Sequence, residues 1–360
     1  MASTIQILLF GDLGDAVLTI PAIRAVRESF PSARIQLLCK AEIGKIVAGL
    51  DVIDEVVAVD KAAYDSPAAT FKPGNLWSLA RLALRLRSAR PETVIVFHHL
   101  VRRWGTMKYA ALALAGGAKR RVGLDNGRGW FLTERVPDLG FGAYHESEYW
   151  MQVAAAAGAT GRPALEFPVS DADRHAVDHL LAYEGLAQRK LVAIHPGTGA
   201  YGPGRRWHAE SFAAAAALVA RECDVHFVVV GTELERDAAT TIEQRLEDRA
   251  TNLTGRTTVN ELAALLERCR LTIANDGGVA HVSAAVNTPV VAIFGPSNEA
   301  AWRPLLGEVV ASELPCRPCF YHDFKTGKRF GCASRECLAL VTPRDVAQAA
   351  VRLLGPGRAA

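Results

Sequence analysis

The chain has 360 residues, half of them hydrophobic and 22% charged, with a formal net charge of +3. This length predicts two domains, and this composition supplies enough apolar side chains for large buried cores. A net charge so small for the length disfavours a dedicated nucleic-acid-binding protein, which usually carries a strongly basic surface.

The beginning of the chain has no basic region ahead of an apolar run, so it does not resemble a secretory signal. No stretch reaches the roughly 18–20 apolar residues that a membrane span requires. We therefore expect a cytoplasmic protein. An exposed basic and apolar face would still allow peripheral contact with the inner face of the membrane.

The first half of the chain alternates apolar runs with helical periodicity. The pattern predicts strands at 5–10, 33–39, 53–59 and 93–97, and helices at 15–29, 76–89 and 145–157. Such alternation is typical of a parallel sheet covered by helices on both faces.

A composition change at 158–173, rich in Gly and Pro, indicates a linker, and Asp171 is the predicted cap of the helix that follows it. We expect an N-terminal domain over 1–165, a C-terminal domain over 166–341 and a helix with a tail over 342–360.

The second half repeats the alternation. Strands are predicted at 190–197, 225–231, 271–275 and 289–295, and helices at 211–222, 257–269 and 279–286. The fold class is therefore α/β, with two doubly wound, Rossmann-like domains. Ligands of such sheets bind beyond the carboxyl ends of the strands, so the loops that follow the strands are the candidate sites.

The first of these loops brings two carboxylates to the start of a helix. Gly14 makes a tight turn possible, and Asp12 and Asp15 flank it. The loop is not a G-x-G-x-x-G motif, and the second strand ends in Cys39-Lys40 rather than in an acid, so a nicotinamide enzyme is disfavoured. The alternative role for both carboxylates is helix capping.

The second loop, HPGTGAYGPGRRW (195–207), combines glycines with two cations. The backbone amides around Thr198 and Gly199 can approach a phosphate, and the guanidinium groups of Arg205 and Arg206 can pair with its oxygens. A solvated basic loop is the alternative.

The third loop places an acid, two glycines and a histidine at a helix start: Asp276, Gly277, Gly278 and His281. The positive end of the helix favours an anion there. A purely structural role for the histidine stays open. A fourth loop, FGPSNEAAWRP (294–304), predicts a short helix capped by Ser297 or Asn298.

Three stretches together resemble the signature blocks of glycosyltransferase family 9: GDLGDAVLTIPAIRAVRESFP, HPGTGAYGPGRRWHAESFAAAAALV and NDGGVAHVSAAVNTPVVAIFGPSNEAAW. Its best-known members are the ADP-heptose heptosyltransferases of lipopolysaccharide core assembly. The resemblance implies the GT-B fold, in which two Rossmann-like domains face each other across a cleft. It also implies inverting transfer from a nucleotide-diphosphate sugar without a catalytic metal, with the donor on the C-terminal domain.

The resemblance also implies roles for residues. Asp15 falls on the general base and Arg205 on a basic residue that stabilises the leaving diphosphate. Relatives often carry Thr or Ser where this chain has Gly277, which leaves the donor's identity open. The implied donor-binding residues are Gly14, Thr198, Gly199, Arg205, Arg206, Asp276, Gly277, Gly278 and His281.

Polar side chains also follow the strand at 93–97. His98, Arg102 and Arg103, together with neighbouring His99, are candidate contacts for an acceptor, as is Asp12 of the first loop, and a solvated loop is the alternative. The acceptor itself, whether a glycan, a lipid-linked molecule or a protein, is left open. A diphosphate can also be held by a metal on an Asp-x-Asp pair, but the pair at 171–173 lies at the linker rather than after a strand.

Four cysteines crowd into the segment 316–337, as Cys316-x2-Cys319-x12-Cys332-x4-Cys337. Four thiolates at such spacing suit a structural Zn or Fe ion, and free thiols or a redox pair are the alternatives. No cofactor is expected for catalysis.

Two other functions stay open beside glycosyl transfer. A nucleotide-sugar 2-epimerase would use the same fold, but it needs additional acids placed for elimination and re-addition. A non-catalytic protein that only binds a nucleotide sugar would not depend on Asp15.

Overall fold

The computed structural model describes residues 3–60, 62–64, 66–199, 202–328 and 330–355. The chain divides into two compact units, Met1–Leu165 and Glu166–Ala360. Each unit is built around one six-stranded sheet in which all the paired strands are parallel.

The first unit has the strand order β3-β2-β1-β4-β5-β6. Its strands are β1 (Thr4–Leu9), β2 (Arg34–Cys39), β3 (Glu55–Ala58), β4 (Thr93–Val96), β5 (Arg120–Asp125) and β6 (Glu134–Pro137). Its helices are α1 (Leu13–Ser29), α2 (Ala41–Val47), α3 (Pro67–Thr70), α4 (Pro73–Ser88), α5 (Arg103–Ala115) and α6 (Glu146–Ala156).

The central strand β1 is buried along its whole length because helices cover the sheet. Ile7 of β1 lies beside Leu37 of β2 and Ile95 of β4. The one buried amide of β1, Gln6, donates to Gln36 Oε1 at 2.8 Å, so this polar group has a partner in the core.

The second unit has the order β12-β11-β10-β7-β8-β9 and thus repeats the connectivity of the first. Its strands are β7 (Leu191–His195), β8 (His226–Val229), β9 (Ala250–Asn252), β10 (Cys269–Asn275), β11 (Val290–Phe294) and β12 (Gly307–Ala311). Its helices are α7 (Asp171–Tyr183), α8 (Ala209–Glu222), α9 (Arg236–Leu246), α10 (Val259–Glu267), α11 (Gly278–Ala285), α12 (Glu299–Trp302), α13 (Glu336–Ala339) and α14 (Pro343–Leu354).

The fold class expected from the sequence is confirmed, since both units are doubly wound α/β sheets with a Rossmann-like strand order. The last helix, α14, packs against α8 and therefore belongs to the second unit. None of the helices in the described ranges is long and apolar enough to cross a membrane.

One predicted cap is wrong. Ser170, not Asp171, caps α7: its hydroxyl accepts the Asp173 backbone N–H at 3.1 Å, and the Asp173 carboxylate accepts the Ser170 N–H at 2.9 Å. A serine hydroxyl satisfies the free amides of a helix start as well as a carboxylate does, so the pattern S-D-A-D was ambiguous. Helix α14 begins in the same way, with the Thr342 hydroxyl accepting the Asp345 backbone N–H at 3.2 Å.

Candidate active site

In both units the candidate residues follow the carboxyl ends of the middle strands. The loop after β1 precedes α1, and the loops after β7 and β10 lie side by side in the second sheet, where these strands are neighbours. Strand order reverses between these neighbouring strands, and this is where doubly wound sheets bind their ligands.

Asp15 occupies the first turn of α1 and folds back over the preceding loop. Its Oδ2 accepts the Asp12 backbone N–H at 2.8 Å, which completes a capping box. A Cβ atom on Gly11 would lie 2.3 Å from the Asp15 Cβ, so only glycine leaves room for this side chain. Asp15 therefore takes part in capping α1, as the alternative interpretation predicts. Capping alone does not explain the raised pKa of its carboxyl group.

The surroundings of Asp15 disfavour its charge. Burial, together with the charges of Asp12 and Glu146, raises the pKa of Asp15 to about 6, although Lys40 opposes the shift. Lys40 forms its ion pair with Asp12, and no ion pair joins Asp15 to another described residue. Asp15 is thus a half-buried carboxylate whose pKa lies near neutral pH. A pKa in this range suits a general base.

Glu146 acts on Asp15 because α6, which it begins, packs against α1. Glu146 also contacts His99, whose two ring nitrogens lie 3.2 Å from Glu146 Oε1 and 3.0 Å from Asp138 Oδ1. Burial opposes protonation of this ring, but the two carboxylates outweigh it and raise the pKa of His99 to about 10. His99 is only 5% exposed, so it is a structural cation rather than the acceptor contact expected from the sequence.

The other proposed acceptor contacts lie nearer the surface. The His98 ring packs on the Tyr109 ring, with centroids 4.4 Å apart. Burial and the charge of Asp15 raise the pKa of Tyr109. Arg102 and Arg103 are exposed at the start of α5. The first unit therefore offers an imidazole and two cations at the same sheet edge as Asp15.

In the second unit Asn275 joins the two loops that the sequence analysis singled out. Its Nδ2 donates to the Pro196 carbonyl at 2.7 Å, and its Oδ1 accepts the Trp207 backbone N–H at 3.0 Å. Asn275 is fully buried at the end of β10, so these bonds fix both ends of the second loop, at Pro196 and Trp207, beside the strand that leads to α11.

The two arginines of this loop differ in their surroundings. Arg205 Nη1 lies 3.0 Å from Asp276 Oδ2 in an ion pair that is largely buried, and the guanidinium carbon lies 5.6 Å from the centre of the Phe320 ring. Arg206 is 34% exposed and donates to Thr198 Oγ1 and to the Gly199 carbonyl at 3.3 and 3.2 Å. Both guanidinium groups face a carboxylate, but Arg206 is the more accessible and lies 3.8 Å from Glu235, whereas Arg205 is closely paired with Asp276.

The start of α11 leaves space beside its backbone. Gly277 precedes the helix with φ 176°, an extended conformation, and a Cβ there would meet its nearest neighbour, Thr198 Cα, at 3.7 Å. There is therefore room for a side chain at Gly277. His281 lies on the first turn of α11 and is only 2% exposed.

Sequence reasoning missed Glu235 and His195. Glu235 is buried after β8, 3.8 Å from the Arg206 guanidinium, and a Cβ on Gly197 would lie 2.5 Å from its Oε1. Burial lowers the pKa of His195 to about 4, Arg206 adds to this and Glu235 opposes it, so the ring is neutral near pH 7. Applying the post-strand argument to the loop after β8 would have found Glu235.

The cysteine segment packs beside these loops. All four cysteine residues line one cavity of about 30 Å³, together with Gly204 and Pro296. A Cβ on Gly204 would lie 2.3 Å from the Gly331 backbone nitrogen, so this segment and the loop 202–206 touch through their backbones. Within the described parts of the chain, no three His, Cys, Asp or Glu side chains stand close enough to hold a metal ion in this arrangement.

Comparison with known proteins agrees with the resemblance. The sequence pattern of glycosyltransferase family 9 (heptosyltransferase) matches residues 80–332, more than half of the chain. The match begins after α1 and so does not include Asp15.

Among individual proteins, lipooligosaccharide heptosyltransferase 2 of Campylobacter jejuni is 28% identical over 172 residues, 46% of this chain and 51% of that protein. The chain thus matches about half the length of this relative. Lipopolysaccharide heptosyltransferase 3 of Escherichia coli is 23% identical over 302 residues, 81% of this chain and 83% of that protein.

The solved structure of Escherichia coli ADP-heptose LPS heptosyltransferase II has the same fold, with a TM-score of 0.73, 21% identity and coverage of 98% of both chains. The strand order, the post-strand loops and the extent of the sequence match agree with one another. The chain belongs to glycosyltransferase family 9.

Proposed function

We propose that the protein is an inverting glycosyltransferase that moves a sugar, heptose from ADP-heptose, to a hydroxyl group of a glycan or lipid-linked acceptor. The observation that supports this most directly is the contrast between the two sites. One unit holds a carboxylate whose pKa is raised to about 6, and the other holds cations and free backbone amides suited to a diphosphate.

The donor side has three features that stabilise negative charge. Arg206 is a partly exposed guanidinium, no side chain of the described residues caps the N–H groups at the start of α11 beside Gly277 and Gly278, and Thr198 lies between them. As the sugar–oxygen bond breaks, the electron pair moves to the departing diphosphate, and preorganised donors stabilise that charge. Arg205 fixes the position of Asp276, so we assign this pair to shaping the loop as well as to binding.

On the acceptor side, Asp15 removes the proton from the attacking hydroxyl while the new bond to the anomeric carbon forms. The bond from the anomeric carbon to the diphosphate breaks on the opposite face of the sugar as the new bond forms, so the nucleoside diphosphate departs and the configuration is inverted. A general base typically contributes about 10²–10⁴-fold to the rate. A separate metal-binding Asp-x-Asp has little support, because Asp173 serves the cap of α7 and Asp171 lies 3.2 Å from Arg174.

The test is Asp15→Asn, assayed for transfer and for donor binding separately. Transfer should fall by about 10²–10⁴-fold while the dissociation constant for ADP stays within a factor of about two. The matched control is Asp173→Asn, since Asp173 holds the same capping-box position in α7 and lies outside the candidate site. Normal transfer by Asp15→Asn would overturn the assignment of the base.

The donor is identified by thermal shift with ADP-, GDP- and UDP-sugars, since a ligand that binds the folded state raises apparent stability. Conversion of a nucleotide sugar without an acceptor would instead indicate a 2-epimerase. Donor binding with no conversion of any kind, in a chain whose biological role survives Asp15→Asn, would indicate a non-catalytic binding protein.

We further propose that the cysteine segment binds one structural Zn or Fe ion through Cys316, Cys319, Cys332 and Cys337. Four thiols around one small cavity match the ligands that these ions prefer. Binding would draw the thiols inward from their present separation. Metal analysis of the purified protein should show about one ion per chain. Loss of that ion in Cys319→Ser, with retention in Cys223→Ser, supports the site, and a metal-free wild-type protein would refute it.

A further inference from the structure

Helix α4 is an outer helix of the first unit with little buried surface. Leu86 is its one fully buried residue among those described. Its carbonyl accepts a hydrogen bond from the buried Gln6 amide at 3.3 Å, which ties this end of the helix to β1. The remainder of α4 presents most of its side chains to solvent.

Large apolar side chains occupy the exposed side of this helix. Phe71, just before the helix, is 65% exposed, Trp77 is 72% exposed and Leu84 is 69% exposed. Trp77 and Leu84 are seven positions apart and therefore lie on one face, with Arg81 one turn after Trp77. Side chains of this size are seldom left in water as a row unless they serve an interaction.

The charge of the same segment has one sign. Residues 66–90 contain five basic residues, Lys72, Arg81, Arg85, Arg87 and Arg90, and no Asp or Glu. Arg85 is paired with Glu55 at 2.6 Å. Lys72, Arg81 and Arg87 form no ion pair with any residue that the structure describes. An ordinary solvated helix mixes both signs of charge on its surface, and this one does not.

A row of aromatic and leucine side chains beside unpaired basic residues matches the chemistry of a membrane interface. Trp and Phe rings enter the headgroup region, while Arg and Lys bind anionic headgroups and extend their chains along the apolar surface. An acidic protein partner would satisfy the charge. It would not by itself explain why a Trp and a Leu of α4, and a Phe just before the helix, are each at least 65% exposed.

We propose that Phe71, Trp77 and Leu84, together with Lys72, Arg81 and Arg87, form a docking surface for an anionic lipid bilayer. The surface carries the first unit, with Asp15, to the membrane. This inference goes beyond the proposed function and does not depend on it.

The test is co-sedimentation of the full chain with phosphatidylcholine vesicles, with and without phosphatidylglycerol. We expect binding to the anionic vesicles that weakens as salt is raised. The double variant Arg81→Glu/Arg87→Glu should lower the partition coefficient at least tenfold, since each basic residue near such a surface contributes about fivefold. The double variant Trp77→Ser/Leu84→Ser should also lower it at least tenfold, because it removes the apolar side chains that enter the headgroup region.

Matched controls come from the second unit. Leu234 is 66% exposed, and Arg245 is an exposed basic residue. Leu234→Ser and Arg245→Glu should sediment as the wild type does. Thermal unfolding of every variant verifies that it is folded, because α4 contributes so little to the core that its surface substitutions should leave the transition unchanged.

A second measurement does not depend on the double variants. Brominated lipid should quench the fluorescence of the wild type more than that of Trp77→Phe. Absence of sedimentation with anionic vesicles, or equal sedimentation by wild type and both double variants, would overturn the proposal, even if α4 then proved to bind a protein. The measurement needs no donor, so its failure would leave transfer to a soluble acceptor unaffected.

Discussion

Substituting Asp15 should have opposite effects on stability and on catalysis. A carboxyl group whose pKa is about 6 in the folded protein and 3.8 in the unfolded chain holds its proton more tightly when folded. The folded state therefore loses stability as pH rises from about 4 to about 6, and the loss persists above that range. Asp15→Asn removes the loss, because the amide has no charge to bury.

The magnitude follows from the size of the shift. A difference of about two pKa units corresponds to about 3 kcal/mol. Asp15 is half-buried rather than enclosed, so solvent screening reduces the expected effect to about 1–2 kcal/mol. Asn can still accept the Asp12 backbone N–H, so the capping box survives the substitution.

The assay is urea unfolding of wild type and Asp15→Asn at pH 7.5 and again near pH 4.5. The variant should be more stable at the higher pH, and the gap should narrow at the lower one. Asp173→Asn is the matched control, since Asp173 occupies the same position in the exposed box of α7 and should bring no gain. An Asp15→Asn protein that is less stable at pH 7.5 yet fully active would show that Asp15 is only a cap.

Three further predictions concern the rest of the site. Arg205→Ala should lower the free energy of unfolding in urea by about 3 kcal/mol, because it leaves buried Asp276 unpaired. Adding Asp276→Asn should restore part of that stability. An unchanged urea midpoint in Arg205→Ala would contradict the burial of the pair. Protonated His99 stabilises the folded state fully below pH 6.5, and this contribution is lost as pH rises toward about 10. The stability difference between wild type and His99→Gln should therefore be largest near pH 6. A difference that does not change with pH would argue against an imidazolium. Gly277→Ser should fold normally and bind ADP several-fold more tightly by calorimetry, since its hydroxyl can join the donors at the start of α11. Gly204→Ala should lower the melting temperature, because the added Cβ would lie 2.3 Å from a backbone atom. A Gly204→Ala protein that melts at the same temperature as the wild type would refute this close contact.

The sequence by itself determined the inner strands and most of the helices. Strands such as β4 and β7 are mainly apolar runs, and β1 and β10 are buried at nearly every position, because helices cover both faces of a parallel sheet. The strands that were not predicted, β5, β6, β9 and β12, are short or half-exposed and begin with or include polar residues, as in RRVGLD and GEVVA. Helix α5 was also missed, because it follows a loop rich in basic residues rather than a clear cap.

The candidate site, like the fold, was predicted only in part from the sequence. The loops after the strands could be located from the sequence because parallel topology brings strand ends to one edge. Only the tertiary structure decided that Arg205 pairs with Asp276 while Arg206 stays accessible, and that burial together with Glu146 raises the pKa of Asp15. Ion pairing and proton affinity depend on burial and on charges that arrive from distant parts of the chain. No local sequence pattern encodes those distances.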